Sequence, residues 1–477
     1  MANDVNNGFY KLSWIQRVGF GSGDLAQNLI YQTVCTYLLI FYVGCFGIPS
    51  GQAAVMFLIV RLVDVLWDPF VGAWVDSHNP KWGKYRSYLL LGGIPLTGFA
   101  ILSFLNTDFT HGSLLFAYVT YVCLSLCYTV VNVPYGALNA SLTRDNDEIS
   151  KLTSTRMAMA NTGGLIVQAG IPWIVKSFSP DGTMTSSESS DAWFYTMTIF
   201  ALLGLVLLFF CFTQTKEKVV MEASDANKVQ WSDLFTEFVR NRPLRILAFF
   251  FITAFAMMAI SNTAGPFFME YNFSEAPDWV IVPDKVVIPA TSVFQALSML
   301  PAIFLLPFAT SIKRSVGKKE LFYMFLIIAV CGMALMYIVA SVDSLKGHYW
   351  MIYLAQVIKS AGVGVATGYM WALVPEVISF GEYSSGRRIS GIVNALTGIF
   401  FKAGFALGGV VPGMVNAITG FDDAPNSKIA QQGILWSVCL IPAVLMMLAM
   451  WIISKYELSD EKMNEINKSI EARANKE

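Results

Sequence analysis

Long apolar segments separated by short polar turns run along almost the whole chain of 477 residues. A helix that crosses the hydrocarbon core of a bilayer needs about 20 consecutive, mainly apolar residues. The pattern predicts an all-α membrane protein with twelve transmembrane helices, at residues 18–45, 51–76, 85–106, 112–141, 152–177, 192–213, 244–271, 286–311, 319–341, 347–378, 389–417 and 430–454.

A polar stretch, TKEKVVMEASDANKVQWSDLFTEFVRNRP, separates the first six predicted helices from the last six. We therefore assign an N-terminal six-helix bundle to residues 1–213, a central loop to 214–243, a C-terminal six-helix bundle to 244–455 and a tail to 456–477. Two joined six-helix halves are typical of transporters built from repeats. The weak likeness of PFVGAWVDSHNPKWGKYR to LPFATSIKRSVGKKE supports a repeat, although two basic turns alone would explain it.

Lysine and arginine are concentrated in the predicted loops that lie on the same side as the N-terminus. Because cytoplasmic loops of membrane proteins are enriched in these residues, we expect both termini and the central loop to be cytoplasmic and the protein to span the cell membrane. A net charge of −1 argues against a nucleic-acid partner. The seven cysteines show neither metal-ligand spacing nor a disulfide pattern, so we expect no disulfide framework. We also expect no cofactor other than a coupling ion, H⁺ or Na⁺.

The predicted second helix carries the charged segment RLVDVLWDPF, which places Arg61, Asp64 and Asp68 within an apolar stretch. Asp64 and Asp68 are four residues apart, so both carboxylates lie on one face of the helix. Two close carboxylates repel each other, and a bound Na⁺ or H⁺ would remove that repulsion. The alternative is a structural ion pair between Asp64 and Arg61.

Polar side chains in the first and fourth predicted helices are candidate sugar ligands. Asp24 lies in the glycine-rich patch GFGSGDLAQN, where its carboxylate could accept two sugar hydroxyl groups or bond a neighbouring helix. Tyr128 and Asn132 lie one turn apart, and such a pair can stack on a sugar ring and bond its edge. The alternatives for the tyrosines of this helix are interfacial positions and packing.

Seven motifs, in order along the chain, resemble those of the glycoside–pentoside–hexuronide:cation symporters of the major facilitator superfamily, the family of melibiose permease. The motifs are GSGD (21–24), RLVDVLWDPFVGAWVDSHNPKWGKYR (61–86), CYTVVNVPYGAL (127–138), STR (154–156), RNRPL (240–244), WALVPEVISFGEYSSGRR (371–388) and FFKAGFALGG (400–409). The resemblance covers essentially the whole chain and is greatest to the glucuronide and pentoside glycoside branch. It implies the major facilitator fold with two six-helix halves.

The resemblance also implies a role for each matching residue. Asp64, Asp68 and Thr129 match the cation site, where the two carboxylates would be the metal ligands if the ion is Na⁺. Asp24, Tyr128 and Arg156 match the sugar site, and Lys402 matches a lysine close to both sites. Asn132 and Trp67 depart from the melibiose-type pattern, which has an acid and an amide there. Both departures remove oxygen ligands, so they favour H⁺ over Na⁺.

These features predict a monomeric secondary transporter that takes up a glycoside, pentoside or hexuronide together with a cation, by alternating access. A sodium-coupled lipid carrier is an alternative, but it would not need Asp24 and Asn132. A membrane sugar sensor that does not transport is another, although the tail is too short for a signalling domain. We find no catalytic constellation, so we do not expect an enzyme.

Overall fold

A computed structural model describes residues 10–143, 145–217, 231–282, 286–385 and 390–474. Eleven of the twelve predicted spans coincide with a helix or a consecutive run of helices, and the eighth, 286–311, begins on a short strand at Val286–Ile288 before its helices. Within the described residues, nine helices or helical runs are long and apolar enough to cross a bilayer. The prediction of an all-α, multi-pass membrane protein is therefore confirmed.

Seven α-helices precede the central loop. They are α1 (Trp14–Gly44), α2 (Ser50–Ser77), α3 (Ser87–Leu91), α4 (Gly93–Leu102), α5 (Leu114–Leu142), α6 (Asn146–Phe178) and α7 (Ser190–Gln214), with a 3₁₀ turn at Ser187–Ser189. Residues 218–230 of the predicted central loop lie outside the described residues.

The rest of the chain is also mainly helical. Its helices are α8 (Trp231–Arg240), α9 (Arg242–Phe267), α10 (Ala290–Ala296), α11 (Leu300–Leu305), α12 (Ala309–Val316), α13 (Lys318–Ser341), α14 (Asp343–Lys346), α15 (Tyr349–Met370), α16 (Leu373–Ser385), α17 (Ser390–Ile418), α18 (Lys428–Leu435), α19 (Ile441–Ser454) and α20 (Asp460–Ala474). Short π-helical turns follow α9 and α18, at Phe268–Asn272 and Trp436–Leu440, and a 3₁₀ turn lies at Leu306–Phe308. An antiparallel hairpin pairs β1 (Trp279–Val282) with β2 (Val286–Ile288) in a register that joins Trp279 to Ile288.

The described residues form two compact units. The first lies within Met1–Ser224 together with Pro277–Ala296, and the second within Asp225–Ala276 together with Leu297–Glu477. The predicted eighth span therefore contributes α10 to the first unit and α11 to the second.

In the first unit, α1 packs along α6 and α7, while α2 packs on α5. Glycines allow this close approach at the start of α1. A Cβ atom at Gly21 would lie only 3.0 Å from Cγ of Met159 on α6. Small residues at such positions let helix backbones approach each other, and here they bring Asp24 against α6.

In the second unit, α9 packs on α17 and α19, and α13 packs on α15 and α19. Part of the predicted tail joins this core, because α20 packs against α16 and buries Met463 and Ile466. The high charge of the segment 456–477 obscures this apolar pair, which is spaced three residues apart on one helix face.

The loop between α2 and α3 is fastened to the end of α7 by a single carboxylate. Glu217 accepts hydrogen bonds from the backbone N–H groups of Lys84, Tyr85 and Arg86, at 3.0, 2.8 and 2.8 Å. Gly83 precedes these donors with φ of +126°, a backbone conformation that favours glycine. Hydrogen bonds to an ionised acceptor are stronger than those between neutral groups, so Glu217 holds this loop in place.

Replacing Glu217 with alanine should destabilise the first unit, since three backbone donors lose a charged acceptor. We expect Glu217→Ala to lower the free energy of unfolding by about 1–3 kcal/mol, seen as a lower midpoint in thermal denaturation in detergent. The adjacent, exposed Lys216 provides the control variant Lys216→Ala. Equal midpoints for the two variants would contradict the role given to Glu217.

Candidate functional site

Asp64 and Asp68 are joined through one hydroxyl group. The side chain of Thr129, on α5, lies 3.0 Å from Oδ1 of Asp64 and 3.2 Å from Oδ1 of Asp68, measured from its Oγ1 atom. Asp64 is 3% exposed, and Asp68 is half-buried one turn further along α2. A hydroxyl group has one proton and two lone pairs. It can therefore donate to one carboxylate at a time and can also offer its oxygen to a bound cation.

Arg61 lies on the other side of Asp64. Its Nη1 atom is 3.7 Å from Oδ2 of Asp64 and donates a hydrogen bond to the Tyr31 hydroxyl at 3.2 Å. Its Nη2 atom donates to the Cys35 sulfur at 3.3 Å. The ion pair with Arg61 and the bridge through Thr129 thus exist together. With both carboxylates ionised, the three charged groups carry a net charge of −1, which one monovalent cation would balance.

The α2 helix continues past Pro69 as far as Ser77. Proline has no N–H group, so the carbonyl of Val65 loses its usual helical donor at this point. The missing helical donor therefore falls one residue after Asp64 in the chain.

Asp24 forms an ion pair with Arg156, which joins α1 to α6. The Arg156 guanidinium also lies over the ring of Tyr135, 5.1 Å from its centroid. The hydroxyl of Tyr135 donates a hydrogen bond to the carbonyl of Phe20 at 2.7 Å. Tyr135 is therefore a packing residue that supports the ion pair.

Tyr128 stacks on Tyr31, with ring centroids 4.6 Å apart and an angle of 17° between the ring planes. The guanidinium carbon of Arg61 lies 5.4 Å from the centroid of the same Tyr31 ring. Asn132 lies one turn beyond Tyr128 on α5 and is half-buried. Tyr31 thus connects the predicted sugar residue Tyr128 with the arginine that pairs with Asp64.

The first unit brings together the predicted cation residues Asp64, Asp68 and Thr129, and it also pairs Asp24 with Arg156. Lys402 belongs to the second unit, where it lies half-buried on α17, next to Phe401 in the chain.

Three residues of α1 were missed by the sequence reasoning: Asn28, Tyr31 and Cys35. Asn28 donates a hydrogen bond to the backbone carbonyl of Asp24 at 2.9 Å, and the other two contact Arg61. They follow Asp24 at intervals of four, seven and eleven residues, which is one face of a helix. A polar stripe in an otherwise apolar helix was the signal that could have identified them.

Across the part of the chain that the structure describes, no group of three or more His, Cys, Asp or Glu side chains is placed to hold a metal ion. The site offers two carboxylates and a hydroxyl group. It can therefore bind a proton or a monovalent cation, and its ion pairs can exchange hydrogen bonds with a polar ligand.

Comparisons with known proteins identify the family of this chain. A family model described as MFS/sugar transport protein matches residues 19–460. The chain is 41% identical over 466 residues to the uncharacterized symporter YnaJ of Bacillus subtilis (strain 168), in an alignment that covers 97% of this chain and 96% of that protein. It is 32% identical over 471 residues to the glucuronide carrier protein homolog of Escherichia coli (strain K12), at 97% and 96% coverage.

Among solved structures, the nucleoside transporter NupG is similar, with a TM-score of 0.61, 15% identity, and coverage of 93% of this chain and 100% of that chain. The family match and these relatives show that the chain is a membrane transporter of the major facilitator type, and not an enzyme. The chain belongs to the MFS/sugar transport protein family.

The buried pair of Arg61 and Asp64 can be tested without knowing the substrate. Removing one partner of a buried pair leaves an uncompensated charge and costs about 3–5 kcal/mol. We expect Arg61→Met to lower the thermal midpoint more than the double variant Arg61→Met with Asp64→Asn, measured in detergent.

The exposed pair of Arg242 with Glu457 provides the control for this experiment, because their side chains are 58% and 46% exposed. Arg242→Met should cost about 0–1 kcal/mol. If the Arg61 single and double variants were equally unstable, Arg61 would stabilise the fold through contacts other than Asp64.

Proposed function

We propose that this protein is a secondary active symporter that carries a glycoside, pentoside or hexuronide into the cell together with a cation, H⁺ in preference to Na⁺. The observation that carries the proposal is the bridge from Thr129 to both Asp64 and Asp68. Ionised groups in a membrane interior are costly and usually serve transport. A carboxylate pair that one small cation can neutralise fits that use.

The choice of H⁺ follows from the few oxygen ligands at the carboxylate pair. Hard metal cations are bound by several oxygen atoms, six or more for Ca²⁺, and Na⁺ is a hard cation of the same kind. Beyond the two carboxylates, Thr129 supplies one hydroxyl oxygen. Trp67, on the same helix, has an indole N–H, which is a donor and cannot bind a metal ion. A proton needs only one carboxylate oxygen and relieves the same repulsion.

The pair of Asp24 and Arg156 is proposed to bind the sugar. A carboxylate accepts hydrogen bonds from sugar hydroxyl groups, and a guanidinium donates to their oxygen atoms. A sugar can thus separate Asp24 from Arg156 and form hydrogen bonds with both side chains. The ring of Tyr128 then packs against the face of the sugar. Arg156 would equally bind the carboxylate of a hexuronide, in keeping with the name of the glucuronide carrier homolog.

Coupling is proposed to pass through α1. Arg61 contacts both Asp64 and Tyr31, and Tyr31 stacks on Tyr128. A cation on the carboxylates weakens the attraction of Arg61 for Asp64, which changes the surroundings of the aromatic pair at the sugar site. Coupling is reciprocal, so the sugar must strengthen cation binding by the same factor. The cycle is alternating access, in the cell membrane, with both termini in the cytoplasm.

The experiment is uptake into proteoliposomes of labelled glycosides, including a glucuronide and a xyloside, under an imposed pH gradient or an imposed Na⁺ gradient. We expect the pH gradient to drive accumulation of at least one sugar and Asp68→Asn to abolish it, because the asparagine cannot take up the proton. Downhill equilibration of the same sugar reports whether the variant is folded.

Asp343→Asn is the matched control, since this carboxylate lies on α14 with its side chain 93% exposed. It should accumulate sugar as the wild type does. Accumulation driven only by Na⁺ would overturn the preference for H⁺. If no gradient drove uptake of any sugar, the symporter proposal itself would be wrong.

A further inference from the structure

Helices α1 and α6 are joined by two ion pairs of opposite polarity. In the substrate-site pair, α1 supplies the anion Asp24 and α6 the cation Arg156. In the other pair, α1 supplies the cation Arg17 and α6 the anion Glu148. Neither Arg17 nor Glu148 is used in the transport cycle described above.

The second pair is a partly buried contact with several hydrogen bonds. The Nη2 atom of Arg17 lies 2.7 and 2.9 Å from the two oxygens of Glu148, and its Nε lies 3.1 Å from Oε2. The backbone N–H of Leu12 donates to the same carboxylate at 3.3 Å. Only 3% of the Glu148 side chain is exposed. A bidentate contact of this kind fixes geometry as well as charge.

Lys151 also contacts Glu148, at 3.0 Å, but from the same helix and with its own side chain 55% exposed. Burial would raise the pKa of the Glu148 carboxyl, but the hydrogen bonds from Lys151, Arg17 and Leu12 outweigh it and hold that pKa below its usual value. Glu148 is therefore ionised at neutral pH, and the bond to Arg17 is the one that reaches across to α1.

The spacing of the two pairs fixes the position of α1 along α6. Asp24 follows Arg17 by seven residues and Arg156 follows Glu148 by eight, which are rises of about 10 and 12 Å. If α1 slid along α6 by about two turns, like charges would face each other. A slide in one direction would bring Arg17 to Arg156, and a slide in the other direction would bring Asp24 to Glu148. Such contacts are repulsive, so the alternating polarity selects one register.

We propose that Arg17 and Glu148 are positioning residues for the substrate site, and that they hold α1 and α6 in register when a substrate takes over the hydrogen bonds of Asp24 and Arg156. The inference rests on the proposed function, because it assumes that the substrate-site pair opens to a ligand. Without Arg17 and Glu148, substrate binding would leave α1 and α6 with neither of these two ion pairs, and the site would lose its spacing.

The first test measures the sugar KM and the cation concentration for half-maximal uptake in Arg17→Gln, Glu148→Gln and the double variant. We expect the sugar KM of each single variant to rise about five- to tenfold, with the cation dependence unchanged. The double variant should be no worse than the more affected single variant, because both changes remove the same contact. Lys151→Gln is the matched control and should leave the sugar KM unchanged.

A purely structural role would instead lower the amount of folded transporter and leave the sugar KM unchanged. That result, or an equal rise in KM for Lys151→Gln, would overturn the inference. Arg17 is the more exposed partner, with 24% of its side chain accessible, so Arg17→Gln keeps the test decisive if Glu148→Gln does not fold.

The second test measures the position of α1 along α6 by a disulfide crosslink and needs no transport assay. A Cβ atom at Gly21 would lie 3.2 Å from Cγ2 of Thr155, between the two ion pairs. A cysteine at each position, Gly21→Cys with Thr155→Cys, brings the two thiols within reach of a disulfide once the Met159 side chain, 3.0 Å from the new Cβ atom, moves aside. The disulfide formed on mild oxidation is detected by mass spectrometry of the linked peptides. We expect Arg17→Gln to reduce the yield severalfold and Lys151→Gln to leave it unchanged. An unchanged yield with Arg17→Gln would contradict the register role, even if no sugar were transported.

Discussion

The cost of placing an ionised side chain in an apolar membrane interior governs the arrangement of the first unit. Each charged residue of its helices that bears on the site has a partner of opposite charge or a hydrogen-bond donor within reach. Asp24 lies against Arg156, and Asp64 lies between Arg61 and Thr129. These contacts do not cancel every charge, since the group of Arg61, Asp64 and Asp68 retains one negative charge when both carboxylates are ionised. That residual charge suits the group to hold a cation and not only to serve as a structural network.

Helix α1 has a larger part in this arrangement than its single acidic residue suggests. Its polar face begins at Arg17, passes through Asp24 and continues to Tyr31 and Cys35, so it contacts α6 at one end and α2 at the other. The glycines near Asp24 let α1 approach its neighbours closely, and Gly23 leaves space for the ring of Tyr135. A small movement of α1 would therefore alter the proposed sugar residues and the carboxylate pair together.

Much of this organisation could be predicted from the sequence, for reasons that are specific to each part. The twelve spans follow from hydropathy, and the shared face of Asp64 and Asp68 follows from helical spacing. The contact of Thr129 with both carboxylates needed a resemblance to known symporters, because the relative rotation of two helices is not encoded in local pattern. The same limit hid the contacts of Arg61 with Tyr31 and Cys35, the N–H groups around Glu217, and the packing of α20.

The crossed polarity of the two ion pairs between α1 and α6 also constrains how the sequence can diverge. Reversing one charge creates a like-charge contact that no further change on the same helix can relieve, because each partner is on the other helix. Positions 17 and 148 are therefore expected to change together in evolution, and so are positions 24 and 156. If the proposed roles hold, a lineage that alters its substrate can exchange the pair at 24 and 156 and retain the pair at 17 and 148, so the specificity and the register of these two helices can evolve separately.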